Sequence, residues 1–132
     1  MILKKLEMFK ELNGYLASGV FDAYGKMLAG VMEVAGLSFE TAGSLFHDAL
    51  LFTDNISKEA GFGPVQMVQI DTEIGIVFAK CCIEEEIHFH TLLVVKNTAN
   101  IVMSKHMLTK MVDTLKEEFK EMAKSTEPFT FL

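Results

Sequence analysis

The residues best suited to chemistry lie in one short run, Cys81-Cys82-Ile83-Glu84-Glu85-Glu86-Ile87-His88-Phe89-His90. Thiolate and imidazole are the ligand types that zinc and copper select. In a hairpin centred near Glu85, Cys82 faces His88 across the ladder and Lys80 faces His90. Side chains alternate along a strand, so residues 80, 82, 88 and 90 would share one face, and a metal would use Cys82, His88 and His90. The spacings of dedicated metal motifs, CxxC and HxxxH, are missing, and Cys is among the residue types most often buried in ordinary cores. The sequence therefore assigns no metal and no cofactor. A one-residue slip of the hairpin would dissolve the set, because it turns each side chain to the other face.

Catalytic arrangements have less support. A Cys–His nucleophile needs a thiol of lowered pKa and an oxyanion site, and nothing in the chain nominates either. Glu84, Glu85 and Glu86 read as a solvated turn, while His47 and His106 read as surface or boundary residues of two helices. Neither GxGxxG nor GxxxxGK[ST] occurs, so no phosphate-cradling loop is present. No catalytic residue is assigned, and the expectation is a protein that is not an enzyme.

Composition narrows the partners. All twelve cations are Lys, Arg is absent, and the net charge is −6. Without Arg the chain lacks the usual bidentate reader of phosphates and base edges, which argues against nucleic acid. Half of the 132 residues are apolar, enough to exclude disorder, yet no run approaches the ~20 apolar residues of a membrane span. Charges interrupt the first apolar stretch, and the two adjacent cysteines suit a reduced compartment, so a cytoplasmic protein without membrane insertion is expected. The length suits one domain, 1–125, followed by an apolar tail, 126–132.

The elements that must position these residues follow from periodicity. Residues 65–72 carry apolar side chains on both faces, and 74–82 and 92–95 are apolar almost throughout. Strands with that pattern are covered on both sides. Ile2, Leu6, Phe9, Leu12 and Leu16 predict a helix over 2–16. Strands over 17–22 and 26–32 follow, joined by Asp22-Ala23-Tyr24-Gly25, whose terminal Asp and Gly suit a type I turn. Ser38 is a predicted N-cap for a second helix reaching about residue 60. Its core stripe would be Phe39, Ala42, Phe46, Ala49, Leu50, Thr53 and Ile56, leaving Leu45, Leu51 and Phe52 as surplus apolar residues outside it. Asn97-Thr98 would cap a last helix over 99–124, seated through Ile101, Leu108, Met111, Leu115, Phe119 and Met122. The order is α-β-β-α-β-β-β-α, an α/β (α+β) chain with a five-stranded antiparallel sheet between helices on both faces.

That order, the Val20-Phe21-Asp22-Ala23-Tyr24-Gly25-Lys26 hairpin and the Lys96-Asn97-Thr98-Ala99-Asn100-Ile101 run before the last helix together resemble the roadblock (dynein light chain) superfamily. The likeness extends to its small prokaryotic members, among them the bacterial homologues that partner the gliding-motility GTPase. The resemblance implies a roadblock/profilin-like sandwich and a homodimer made by pairing an edge strand and packing the second helices together. It further implies a non-catalytic scaffold or regulator that binds a small Ras-like GTPase or a larger assembly. The segment 65–71 has no Lys and no Pro to guard it as an edge. The expected interface is therefore Leu45, Leu51 and Phe52 with Gln66, Val68 and Ile70. Lack of Arg excludes an arginine finger supplied in trans. Two other readings stand beside this one: a small-ligand or metal sensor using Cys82, His88 and His90, or an accessory subunit of a metabolic or redox complex.

Overall fold

The computed structural model describes residues 2–32 and 39–124, without the side chains of 39–42 and 45. Its strands are β1 (Tyr15–Asp22), β2 (Met27–Met32), β3 (Val68–Asp71), β4 (Gly75–Glu84) and β5 (Ile87–Lys96). They form one antiparallel sheet in the order β2-β1-β5-β4-β3. The central strands are the most apolar, as expected where both faces are covered. Helices α1 (Ile2–Leu6) and α3 (Ile101–Ala123) cover one face, and α2 (Phe39–Glu59) lies over the other.

The two faces differ in depth. Under α1 and α3 the core is thick: Phe9, Phe78, Phe89, Leu93, Leu108, Leu115 and Phe119 are all buried there, with the Phe89 and Phe119 rings 4.6 Å apart. Burying each such side chain contributes about 1.5–3 kcal/mol, so this layer dominates the stability of the domain. Beneath α2 the buried cluster is only Ala17, Phe21, Val77, Ala79 and Leu92, edged by half-buried Phe46, Val68 and Ile70. Glu84, at the end of β4, ties the sheet to α3 by ion pairs to Lys116 (3.2 Å) and Lys120 (2.9 Å), one helical turn apart.

Several predicted boundaries move for identifiable reasons. The first helix stops early: Ile2–Leu6 is α-helical, Glu7–Glu11 is a 3-10 turn, and Tyr15 and Leu16 belong to β1. Gly14, at φ +93°, makes the bend that lets Tyr15 pair with Val95, and strand pairing overrides the helical spacing of Leu16. The cap of α3 is Asn100, whose side chain accepts the Met103 N–H at 2.9 Å. Asn97 instead donates to the carbonyls of Thr72 and Glu73, bracing the β3–β4 turn. The strand predicted over 65–72 is shorter, Val68–Asp71. The Asp22–Gly25 turn forms as predicted, with Gly25 N–H bonded to the Asp22 carbonyl and Asp22 Oδ1 accepting from Tyr24 and Lys26. The predicted Ser38 cap and the tail 126–132 lie outside the described residues.

Candidate functional site

The β4–β5 hairpin closes through Glu85-Glu86, two residues rather than three, with Glu85 at φ +54°. This sets Cys81 opposite His90, Cys82 opposite Phe89 and Ile83 opposite His88. The predicted set is therefore split. Cys82 packs against the core under α3, and its neighbour Cys81 takes its place beside His88 and His90 on the α2 face. No Cys82–His88–His90 cluster exists. The Cys81 sulfur and one nitrogen of each of His88 and His90 lie within 4.8 Å of one another. Because both strands are apolar on both faces, no alternation in the sequence pinned the register, and the turn length alone decided it.

A fourth residue joins the cluster. His47, read from sequence as a surface or boundary residue, is 6% exposed and comes from α2. Its ring lies 4.7 Å from that of His90 in an edge-on contact, and the His90 ring lies 5.0 Å from that of His88. Both buried imidazoles are oriented by the β1–β2 turn. His47 Nε2–H donates to the Ala23 carbonyl (2.7 Å), and His90 Nδ1–H donates to the Asp22 carbonyl (3.3 Å). In a neutral imidazole these bonds place the lone pair on the other ring nitrogen, Nδ1 of His47 and Nε2 of His90. Among the described residues those two atoms and His88 Nε2 are buried with no hydrogen-bond partner. The Asp48 carboxylate stands 3.5 Å from His47 Nδ1, too far for a hydrogen bond, and is itself exposed.

Burial disfavours charge on His88, His90 and Cys81. Burial, then the neighbouring His47, pushes the His90 imidazole down to about 4. Burial lowers His88 as well. The Cys81 thiol is driven up to about 11, first by burial and then by Cys82. A thiol held in its protonated form is a poor nucleophile. Beside the cluster a cavity of about 580 Å³ opens between α2 and the sheet, lined by Leu50, Asp54, Lys58, Val65, Gln66 and Ile83 among others. Asp54 is already engaged: Lys58 chiefly, and the Val65 N–H, hold its carboxyl below its ordinary range.

The same helix presents a second feature. Its seat on the sheet is a narrow line, Gly43, His47 and Leu50, with Phe46 half-buried beside it. Gly43 is required there, because a Cβ would overlap the ring of fully buried Phe21. Ala49, Thr53 and Ile56, expected in the core, are exposed. Phe52 (68% exposed) and Ile56 (51%) lie one turn apart on the side away from the seat, and Phe62 just beyond the helix is 84% exposed. Leu51 is also exposed, at the rim of the cavity. The side chain of Leu45 is outside the described residues. Ile56 and Phe62 are the members of this patch that sequence reasoning missed; Ile56 was absorbed into a stripe drawn too wide.

β3 is an edge strand, as expected, and carries only four residues. Val68 and Ile70 turn toward α2 and are half-buried, whereas Gln66 is exposed and precedes the strand. Phe46 of α2 and Val68 and Ile70 of the edge strand pack against the same small cluster, on the sheet face that α2 covers.

Comparison with solved structures gives this architecture its place. The chain superposes on Myxococcus xanthus MglB with a TM-score of 0.78 at 12% identity, covering 91% of this chain and 95% of that one. A Roadblock/LC7 domain from Streptomyces avermitilis matches with a TM-score of 0.74 at 8% identity, over 90% and 95% of the two chains. The chain has the roadblock fold. A further structure, described as MglB with tetrameric arrangement, gives 0.75 at 19% identity, over 91% and 86%. No protein-family profile and no curated protein matches this chain in sequence. Among its described residues, no helix is long and apolar enough to cross a membrane.

Proposed function

We propose that this roadblock domain is a non-catalytic, homodimeric regulator that binds a small Ras-like GTPase. The observation that carries the reading is the outward apolar face of α2, Phe52 and Ile56 with Phe62 beyond them, taken together with the edge position of β3 in the sheet. An exposed apolar face of this kind marks a partner site, and an unguarded strand edge invites a second sheet. Two copies related by a two-fold axis would bury both features at once, packing α2 on α2 and extending the sheet through β3. Gln66, Val68 and Ile70 would border that junction, with Leu51 and Phe52 in the helix pair. The resemblance to the roadblock homologues that partner the gliding-motility GTPase supports the GTPase as partner, and the fold shared with MglB agrees with that resemblance. Regulation would come from a rigid platform that contacts the GTP- and GDP-bound switch conformations differently. With no Arg in the chain, it supplies no arginine finger.

Light scattering tests the dimer. The wild-type chain is expected at twice its 14.7 kDa mass, and Phe52→Glu, which adds a charge at an exposed position, at the monomer mass with an unchanged circular-dichroism spectrum. A monomeric wild type at tens of micromolar (about the concentration at which a weak specific dimer still forms) refutes the assembly. Titration against a Ras-like GTPase from the same genome, loaded with a GTP analogue or GDP, tests the regulation. Equal affinity for the two states would eliminate it, because a ligand that binds both states alike shifts nothing.

A further inference from the structure

We propose that Cys81, His88 and His90 form a binding site for a borderline-soft divalent metal ion, zinc being the natural occupant. The argument rests on donor type, placement and unsatisfied lone pairs. Cys81 and His90 are a directly opposed cross-strand pair, and His88 lies two residues from His90 on the same face. The three donors come from one rigid hairpin, and their ligand atoms lie within 4.8 Å of one another.

The tautomer of His90 is already set for metal. His90 gives its Nδ1 proton to the Asp22 carbonyl, which leaves the Nε2 lone pair free. Metal-bound histidines are oriented in this way by a backbone carbonyl. His90 is 2% exposed, and its Nε2 is buried with no partner among the described residues, as is Nε2 of His88. An unsatisfied buried polar atom costs about 1–3 kcal/mol, so a pair of them on adjacent side chains calls for an occupant. A purely structural pair of histidines would have its nitrogens bonded within the fold.

The fit to zinc is specific. Zn–S near 2.3 Å and Zn–N near 2.0–2.1 Å place tetrahedral donor atoms roughly 3.3–3.6 Å apart. A separation at the 4.8 Å limit needs to close by about 1.2–1.5 Å, by side-chain rotation on a fixed backbone. The fourth position opens onto the cavity of about 580 Å³ and is left to water or to a small ligand. On binding, the Cys81 thiol gives its proton to solvent and its sulfur becomes a thiolate ligand, so one proton is released per ion. No electron transfer is involved.

The test is a titration of the reduced, chelator-stripped full chain with Co²⁺ as the spectroscopic probe, followed by displacement with Zn²⁺. One equivalent is expected to bind, with a thiolate-to-metal charge-transfer band and the intense visible absorption of a four-coordinate site. Cys81→Ser abolishes the charge-transfer band and Cys82→Ser, which alters the opposite face, keeps it. His88→Ala, at a half-buried position that leaves the core intact, weakens Zn²⁺ binding by more than about 100-fold, beyond what loss of an outer-shell partner costs. Absence of stoichiometric binding to the wild type overturns the proposal. So does a band that survives Cys81→Ser and is lost in Cys82→Ser. Both outcomes are independent of whether the chain dimerises or binds a GTPase.

Discussion

Gly43 decides whether α2 lies close enough to the sheet to bury His47 and turn Phe52 outward, and replacing it by Ala sets two effects of opposite sign against each other. Helix propensity favours the change, since Ala is better than Gly in a helix interior by about 1 kcal/mol. Packing opposes it. A Cβ at Gly43 would overlap two carbons of the Phe21 ring and lie 3.0 Å from a third. Phe21 is fully buried between β1 and the helix, so its ring has no free volume to move into. Overpacking of this kind costs about 1–3 kcal/mol, and an overlap this deep belongs at the upper end. Packing therefore wins, and Gly43→Ala is expected to destabilise the domain by about 1–2 kcal/mol. In urea unfolding that corresponds to a midpoint lower by about 1 M, with the slope unchanged. Adding Phe21→Leu, which shortens the opposing side chain, should recover at least about 1 kcal/mol of the loss in a double-mutant cycle. A rise in the midpoint for Gly43→Ala would mean that propensity governs and that α2 is not seated over Phe21. The narrow-seat account of the outward face would fall with it.

Two further predictions concern the tip of the hairpin that holds the Cys–His cluster. Glu85 sits at φ +54°, which costs an L-residue about 1–2 kcal/mol, so Glu85→Gly should raise thermal stability by about 0.5–1 kcal/mol after the entropy of the unfolded glycine is counted; a loss of stability would refute the strained turn. The carboxyl of Glu84 is held below the ordinary range, first by its hydrogen bond to Lys120 and then by Lys116. A lowered carboxyl pKa means that the tie of β4 to α3 persists as pH falls past 4.5 and is lost only below that value. An NMR titration should show Glu84 ionising below 4.5 and moving up toward it in Lys120→Ala, and an unmoved midpoint would remove Lys120 as the cause.

What the sequence determined by itself was everything that local pattern encodes. Strands apolar on both faces required helices above and below. Asp22 and Gly25 specified their turn, and the stripe of Leu108, Met111, Leu115 and Phe119 located the buried side of α3. The order of elements and the resemblance to roadblock proteins followed from these. Three features were settled only by tertiary structure. The end of α1 was one, because Tyr15 and Leu16 suit a helix as well as a strand until β5 is there to pair with. The seat of α2 was another: a Gly against Phe21 is invisible to a hydrophobic stripe, which counted Ala49 and Ile56 as core and overlooked Gly43. The third was the register of β4 on β5. Two residues in the turn instead of three exchanged Cys82 for Cys81, and strands that are greasy on both faces carry no alternation to say which. Periodicity reports a side chain's environment only when the two faces differ, and the residues that build this site lie where they do not.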